Sequence, residues 1–202
     1  MIGIIDYGMG NLYSVKNACD SLGLDNVVSN EKTVLDTCSK LILPGVGAFQ
    51  DCMKALKETG LYTYIIDRVS NGTCLLGICL GMQALFESSE ENGYCPGFGF
   101  LKGQVCFMED KNVRIPQIGW NNLEKNQEHV LFERMKSPYV YYVHSYYAKN
   151  VEDKDLIGYS MYGDMKITGL VIHKNVMGCQ FHPEKSGEDG LKILDYFGRE
   201  FV

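Results

Sequence analysis

The sequence of 202 residues lacks several features that would assign it to particular classes of protein. It has no run of basic residues, and no apolar stretch approaches the roughly 18 residues that a membrane span requires. The 25 acidic residues outnumber the 19 lysines and arginines, which gives a formal net charge of −6. Because this charge balance offers little attraction to nucleic acid or to an anionic membrane, we expect neither as a partner.

Motifs for metals, cofactors and export are also missing. No Cys-x-x-Cys pair or His/Cys cluster has the spacing of zinc ligands, so we expect no metal. The turn at 8–10 lacks the third glycine of a dinucleotide fingerprint, and we expect no cofactor. The start of the chain is too short and too acidic for a signal peptide. The eight cysteines are scattered singly, which favours the reducing cytoplasm.

The first half of the sequence alternates short apolar runs with helical patterns, which indicates strands that alternate with helices. The predicted strands are 2–6, 27–28, 40–43 and 74–78, and the predicted helices are about 11–22, 50–59, 61–71 and 80–88. Asn11 is the predicted cap of the first helix. This order is typical of a parallel α/β sheet with right-handed crossovers, in which ligands collect where the strands end.

The second half, from Gly93, is rich in short β segments that are separated by polar turns. The predicted strands are 98–108, 114–123, 139–147, 156–162, 166–173 and 176–181, and a last helix is predicted over about 187–200. No linker, repeat or low-complexity tract interrupts the chain. We therefore expect one domain over residues 1–202, with these strands as antiparallel additions to the sheet.

The most informative stretch is Cys79 and its surroundings. Cys79 lies between Gly77 and Gly81, directly after an apolar strand pattern and directly before a helical one. This context predicts a nucleophile elbow with cysteine in the place of serine. The glycines would allow close approach in the turn, and the helix N-terminus would favour a thiolate. The alternative is an ordinary buried cysteine, because the chain also uses cysteine as a small core residue.

A base for this thiol is available in Gln180-Phe181-His182-Pro183-Glu184. Residues i and i+2 of an extended chain point to the same face, and Pro183 holds His182 in the β region. His182 and Glu184 are therefore predicted to project together, with the carboxylate setting the tautomer of the imidazole. The alternative is a surface histidine and glutamate at a strand end. The acid follows the histidine, which argues against the order of an α/β-hydrolase.

Two further features complete the predicted site. The Pro44-Gly45-Val46-Gly47 turn could direct backbone N–H groups at a developing oxyanion, with the N–H of Leu80 as the second donor. The same glycines would equally suit an ordinary loop. Gln83 lies one helical turn after Cys79 on the same face, where it could contact a substrate.

Together, G-I-C-L-G-M-Q, P-G-V-G-A-F and F-H-P-E-K-S resemble the motifs of class I (triad) glutamine amidotransferases. I-D-Y-G-M-G-N, P-Q-I-G-W-N and Y-V-H-S-Y are similar to one branch of that family, whose members supply ammonia to a (β/α)8-barrel cyclase in histidine biosynthesis. The resemblance covers essentially the whole chain. It implies a flavodoxin-like fold, a doubly wound and mostly parallel sheet with helices on both faces and an antiparallel extension. It also implies glutamine hydrolysis through a γ-glutamyl thioester.

The resemblance also implies a role for each matching residue. Cys79 corresponds to the nucleophile, His182 to the base and then acid, and Glu184 to the orienting carboxylate. The N–H groups of Val46 (after a peptide rotation) and Leu80 correspond to the oxyanion donors. The positions that correspond to substrate contacts are Gly45, Gly47, Gln83, Ser145 and Tyr146.

The barrel cyclase is the partner that the resemblance implies. Trp120, Tyr141 and Lys185 are the predicted interface residues, since aromatic side chains and a charge suit the core of an interface. A lone tryptophan could instead belong to the protein core. His144 is predicted to be structural, because it alternates with tyrosines on one strand face.

Three other functions remain open at this point. Related subunits supply ammonia for the amidation of a sugar nucleotide in surface-glycan pathways, and their glutaminase motifs look the same. A non-catalytic relative is disfavoured by the intact Cys79, His182 and Glu184. A peptidase-like relative is disfavoured by Gln83 and by the turn at 44–47.

Overall fold

The structure is a computed structural model that describes residues 1–135 and 138–202. The strands are β1 (Ile2–Ile5), β2 (Asn26–Ser29), β3 (Lys40–Gly45), β4 (Cys74–Cys79), β5 (Phe86–Ser89), β6 (Cys95–Pro96), β7 (Leu101–Phe107), β8 (Gln117–Asn122), β9 (Glu124–Lys125), β10 (Tyr139–His144), β11 (Tyr146–Lys149), β12 (Leu156–Tyr162), β13 (Met165–His173) and β14 (Val176–Cys179). The helices are α1 (Leu12–Ser21), α2 (Lys32–Leu35), α3 (Phe49–Glu58), α4 (Leu61–Ser70), α5 (Leu80–Ala84), α6 (Val130–Arg134) and α7 (Gly187–Arg199), with a 3-10 turn at Pro183–Lys185.

An eight-stranded sheet in the order β2-β1-β3-β4-β14-β13-β12-β9 forms the centre of the protein. The first five strands of this order run parallel to one another, and the last three join by antiparallel pairing. This arrangement confirms the predicted α/β class with an antiparallel extension. In the part of the chain that the structure describes, no helix is long and apolar enough to cross a membrane.

Both faces of the inner parallel strands β1, β3, β4 and β14 are buried, which explains why their sequences are largely apolar, whereas the edge strand β2 is half-buried. Ile42 points into an apolar cluster that includes Phe197 of α7. Its neighbour Leu43 points into a second cluster that includes Leu56 of α3. Because successive side chains of a strand face opposite sides, a short apolar run contributes side chains to both clusters. Each fully buried apolar side chain stabilises the folded state by about 1.5–3 kcal/mol relative to an exposed one.

Several element bounds differ from the sequence predictions. The helix after Cys79 ends at Ala84 rather than near residue 88, because Phe86–Ser89 forms β5 and pairs with β7. The single turn α2 was not predicted, since four residues are too few for a clear period. Asn11 precedes α1 as predicted, but its side chain makes no capping hydrogen bond.

The β-rich half also differs from a simple antiparallel addition. The predicted strand 139–147 is interrupted at Ser145, so that β10 pairs with β8 in a separate two-stranded ribbon and β11 pairs with β7 in a separate four-stranded sheet. The segment that begins at 176 forms β14 and pairs with β4 in parallel, not antiparallel. Strand pairing is decided by contacts that are distant in sequence, and local periodicity does not report them.

Candidate active site

The elbow at Cys79 has the strained backbone that its sequence predicts. Cys79 ends β4 with φ +54° and ψ −111°, and α5 begins at the next residue. A Cβ atom at Gly77 would lie 2.6 Å from the carbonyl oxygen of Gly81, and one at Gly81 would overlap the carbonyl oxygen of Leu43. Such a conformation of a non-glycine residue costs about 1–3 kcal/mol, and the packing around it must hold it. Because α5 has only five residues, its dipole is weaker than the predicted long helix would supply.

His182 and Glu184 form a buried pair. The Nδ1 atom of His182 lies 2.8 Å from Oε1 of Glu184, and their side chains are 3% and 1% exposed. His182 is extended, with φ −93° and ψ 98°, but the chain after it enters the 3-10 turn rather than continuing as a strand. The predicted pairing is therefore present, although a turn and not an extended chain brings the two side chains together.

The environment of His182 favours its charged form. Burial alone would lower the pKa of the imidazole, but the nearby sulfur of Cys79, the hydrogen bond to Glu184 and the negative charges of the Cys79 thiolate and the Glu184 carboxylate outweigh it. The pKa of His182 is therefore well above its ordinary value. A base that takes a proton from Cys79 needs this stabilisation of the imidazolium.

Parallel pairing of β14 with β4 brings His182 next to the thiol. Cys179 lies opposite Ile78 in this pairing, so the residues that follow both strands meet at the same edge of the sheet. The backbone N–H of His182 donates to the carbonyl of Tyr141 in β10 at 2.9 Å. Its buried Nε2 has no hydrogen-bond partner among the described residues. In this geometry the thiol of Cys79 donates to the carbonyl of Val143, with sulfur and oxygen 3.9 Å apart.

A cavity of about 280 Å³ opens over Cys79 and His182. Its lining includes most of the predicted oxyanion and substrate residues, namely Val46, Gly47, Leu80, Gln83, Ser145 and Tyr146. Gly45 does not belong to the lining; it lies opposite Cys79 in the β3–β4 pairing. A Cβ at Gly45 would lie 2.7 Å from the nitrogen of Gly81 and 2.9 Å from Cβ of Leu80, so this glycine allows the elbow to pack against β3.

Val46 and Gly47 lie at the mouth of the cavity. Val46 is 43% exposed, and Gly47 has a positive φ of 98°. Glycine adopts this conformation without strain, so Gly47 suits the turn that holds Val46 at the mouth of the cavity. The N–H of Val46, the predicted oxyanion donor, belongs to the peptide on the other side, between Gly45 and Val46.

The cavity wall includes one acidic residue that the sequence analysis missed. Glu91 lines the cavity, and its Oε2 accepts a hydrogen bond of 2.8 Å from the backbone N–H of Phe49, the first residue of α3. The contact joins residues 42 positions apart, so no local spacing could reveal it. The only signal was the acidic turn at 90–91 itself.

His144 also lines the cavity, but its environment is different. Its Nδ1 lies 2.8 Å from the carbonyl oxygen of Tyr146, and its Nε2 lies 3.0 Å from the side-chain amide of Gln117. Chiefly because of burial, the pKa of His144 is lowered to about 4. A neutral, hydrogen-bonded imidazole agrees with the predicted structural role.

The family model "Glutamine amidotransferase class-I" matches residues 3–200 of the chain. The chain belongs to this family. The amidotransferase is 45% identical over 202 residues to "Imidazole glycerol phosphate synthase subunit HisH" of Geobacillus sp. (strain WCH70), with 98% of this chain and 95% of the relative covered. It is 46% identical to the protein of the same name from Bacillus subtilis (strain 168), with the same coverage. The amidotransferase therefore belongs to the HisH group.

Two solved structures of other proteins share the fold of this amidotransferase, although their sequence identity to it is lower. A crystal structure of a glutamine amidotransferase superposes with a TM-score of 0.76 at 22% identity and covers 96% of each chain. PurLQS from Thermotoga maritima gives a TM-score of 0.74 at 21% identity, with 97% of this chain and 96% of the other covered. These likenesses confirm the predicted class I amidotransferase fold.

The predicted interface residues of the amidotransferase lie on the β8–β10 ribbon or close to it. Trp120 pairs with Tyr141 across the ribbon and stacks on Tyr139 at 6.0 Å between ring centroids. Trp120 is 46% exposed, so it belongs to the surface of a strand and not to the protein core. With Ile118 and Val143 these residues form an outward apolar face, the aromatic ribbon. Lys185, in the turn after His182, is exposed.

Proposed function

We propose that this amidotransferase hydrolyses glutamine to glutamate and ammonia, and that a (β/α)8-barrel cyclase uses the ammonia to make imidazole glycerol phosphate in histidine biosynthesis. The observation that carries the proposal is the convergence of Cys79 and the His182–Glu184 pair on one cavity. The 45–46% identity to proteins named HisH supports the choice of pathway. A cytoplasmic location, expected from the scattered cysteines, is part of the proposal.

In the first half-reaction, the sulfur of Cys79 attacks the side-chain carbonyl carbon of glutamine while Nε2 of His182 takes the thiol proton. The N–H groups of Val46 and Leu80 then donate to the oxyanion, each donor being worth about 10²–10³ in rate. His182 returns its proton to the amide nitrogen, the C–N bond breaks, and ammonia leaves a γ-glutamyl thioester on Cys79.

In the second half-reaction, His182 takes a proton from water, and the resulting hydroxide attacks the thioester carbonyl. The C–S bond breaks, the proton returns to sulfur, and glutamate leaves. Glu91 can hold the α-ammonium group of the substrate, since its carboxylate is part of the cavity wall and is fixed by the N–H of Phe49.

Substitution of Cys79 tests the catalytic part of the proposal. Cys79→Ala should lower glutamate release by at least about 10³-fold in the complex with the cyclase and its acceptor nucleotide, because the covalent route is lost. Cys106→Ser is the matched control, since this thiol lies in β7, outside the cavity lining. Wild-type turnover by Cys79→Ala would refute the assignment.

The aromatic ribbon supports the partner part of the proposal. Exposed tryptophan and tyrosine side chains often contribute much of the binding energy of an interface. Here Trp120 pairs with Tyr141, whose carbonyl accepts the backbone hydrogen bond of His182. Trp120→Ala should weaken binding to the cyclase by about 30-fold or more, measured by titration calorimetry, and Lys185→Ala should weaken it less. Tyr94→Ala is the control, because Tyr94 is 74% exposed and outside the ribbon. Unchanged affinity of both test variants would place the interface elsewhere.

Complementation of a histidine auxotroph that lacks this subunit tests the pathway. Growth without histidine is the expected result. Failure to grow, by a strain whose extract retains glutaminase activity from this chain, would assign the ammonia to another acceptor.

A further inference from the structure

Gln180 is a fully buried side chain behind the nucleophile and outside the cavity lining. Its backbone N–H donates to the carbonyl of Gly169 in β13 at 2.9 Å, which fixes the main chain just after β14. Its side-chain amide has two partners. Oε1 lies 3.0 Å from Nε2 of Gln83, and Nε2 lies 3.9 Å from Sγ of Cys79.

The orientation of both amides follows from one carbonyl group. The carbonyl oxygen of Tyr146 can only accept, so the atom of Gln83 that lies 2.8 Å from it must be the amide nitrogen. The other N–H of this nitrogen faces Gln180, where only Oε1 can accept it. The amide nitrogen of Gln180 must therefore face the sulfur of Cys79.

The contacts of the sulfur differ in which protonation state they favour. The carbonyl of Val143 accepts from the thiol and has nothing to accept once the proton has left. The N–H of Gln180 can donate to the sulfur in either state, and hydrogen bonds to an ionised partner are about twice as strong as those between neutral groups. Gln180 therefore stabilises the thiolate relative to the thiol.

We propose that Gln180 is a positioning residue that donates a hydrogen bond to the thiolate of Cys79 and, through the same amide, holds Gln83 in the orientation in which it meets the substrate. Loss of this amide would impair the nucleophile and the substrate contact together. The inference rests on the proposed function for the role of Gln83, but the bond to the sulfur can be tested without glutamine.

The first experiment measures alkylation of Cys79 by iodoacetamide in the isolated protein at pH 7, with the labelled peptide identified by mass spectrometry. Gln180→Met keeps the length of the side chain and removes both polar atoms, and it should slow alkylation by about tenfold or more. Gln117→Met is the matched control, because Gln117 is also a buried amide but contacts His144 and not the sulfur. Thermal melting reports whether each variant is folded, and Gln180→Leu replaces the methionine variant if that one is not.

A double-mutant cycle separates positioning from general loss of packing. Gln83→Met alone should slow alkylation less than Gln180→Met, because it frees the amide of Gln180 to rotate but leaves the N–H in place. Gln83→Met with Gln180→Met should be no slower than Gln180→Met alone. Wild-type alkylation by folded Gln180→Met or Gln180→Leu, or additive effects in the double variant, would overturn the inference.

Steady-state kinetics in the complex complete the test. Gln180→Met should lower kcat and raise KM for glutamine, whereas a role confined to packing would leave KM unchanged. Slower alkylation of Gln180→Met, together with a wild-type complex that releases no glutamate, would refute the proposed function and leave the bond to the sulfur established. An unchanged KM would refute the link through Gln83.

Discussion

Two histidines line the same cavity, and the protein moves their pKa values in opposite directions. His182 and His144 are 3% and 7% exposed, so burial disfavours the charged form of both. The thiolate of Cys79 and the carboxylate of Glu184 outweigh burial at His182 and raise its pKa. The partners of His144 are a carbonyl and an amide, and its pKa falls to about 4. The nearby charge of His182 lowers it further.

The comparison shows that an anionic partner, and not burial or position in the cavity, decides which histidine can accept a proton. A buried imidazole becomes charged only when a nearby anion offsets its desolvation. His182 can therefore exchange a proton with Cys79, while His144 remains neutral and holds the carbonyl of Tyr146 in place. Three substitutions test this division, in order of expected effect.

His182→Ala should have the largest effect. Without the base, kcat for glutamine hydrolysis should fall by about 10³-fold or more, close to the loss in Cys79→Ala, because members of one catalytic unit are not additive. His144→Gln is the comparison variant and should cost far less, since a neutral side chain replaces a neutral imidazole. Equal losses in the two variants, measured in the complex, would contradict the division of roles.

Glu184→Gln should have an intermediate effect by making His182 resemble His144. Removal of the anion leaves the desolvation of the imidazole less opposed, so the pKa of His182 should fall. The weaker base should lower kcat by about 10²-fold. A titration of the His182 ring by NMR checks the direction of the shift, with Glu188→Gln as the control at an exposed acid. An unchanged pKa of His182 would show that Glu184 does not control its charge.

His144→Gln should have the smallest effect, on the pH dependence of stability. The pKa of His144 is about 4 in the folded state against an ordinary value of 6.5, so the unfolded state binds more protons between these values. Stability from this group is complete above the ordinary pKa and is lost as the pH falls. Between pH 7 and pH 5 the wild type should lose about 2 kcal/mol more than His144→Gln, in urea unfolding at both pH values. Equal losses would show that His144 is not neutral by burial.

Local residue types predicted much of this site. Gly77 and Gly81 around Cys79 predicted the elbow, because only glycine allows the backbone to approach so closely. His182 and Glu184 are two residues apart, and either an extended chain or a tight turn would bring them together. The buried parallel strands were readable as apolar runs because both of their faces are covered.

Other features were not readable, for physical reasons. The parallel pairing of β14 with β4 brings His182 to Cys79, yet the two segments are about 100 residues apart and their pattern fits either strand direction. The length of α5 was misjudged, since Phe86 suits the buried face of a helix and of a strand equally well. The exposure of Trp120 could not be predicted either, because it depends on which face of the β8–β10 ribbon packs against the rest of the protein.

The sequence by itself determined the chemical groups of the site and the two turns that present them, since an elbow and a His-x-Glu turn depend on neighbours in the chain. Only the tertiary structure decided the charge states of those groups and the directions of their hydrogen bonds. Burial and partners distant in sequence raise the pKa of His182 and keep His144 neutral. They also place the carboxylate of Glu91 against the first N–H of α3 and fix the direction of the Gln180 amide. A pKa or a hydrogen-bond direction is a property of an environment, and that environment exists only once the chain has folded.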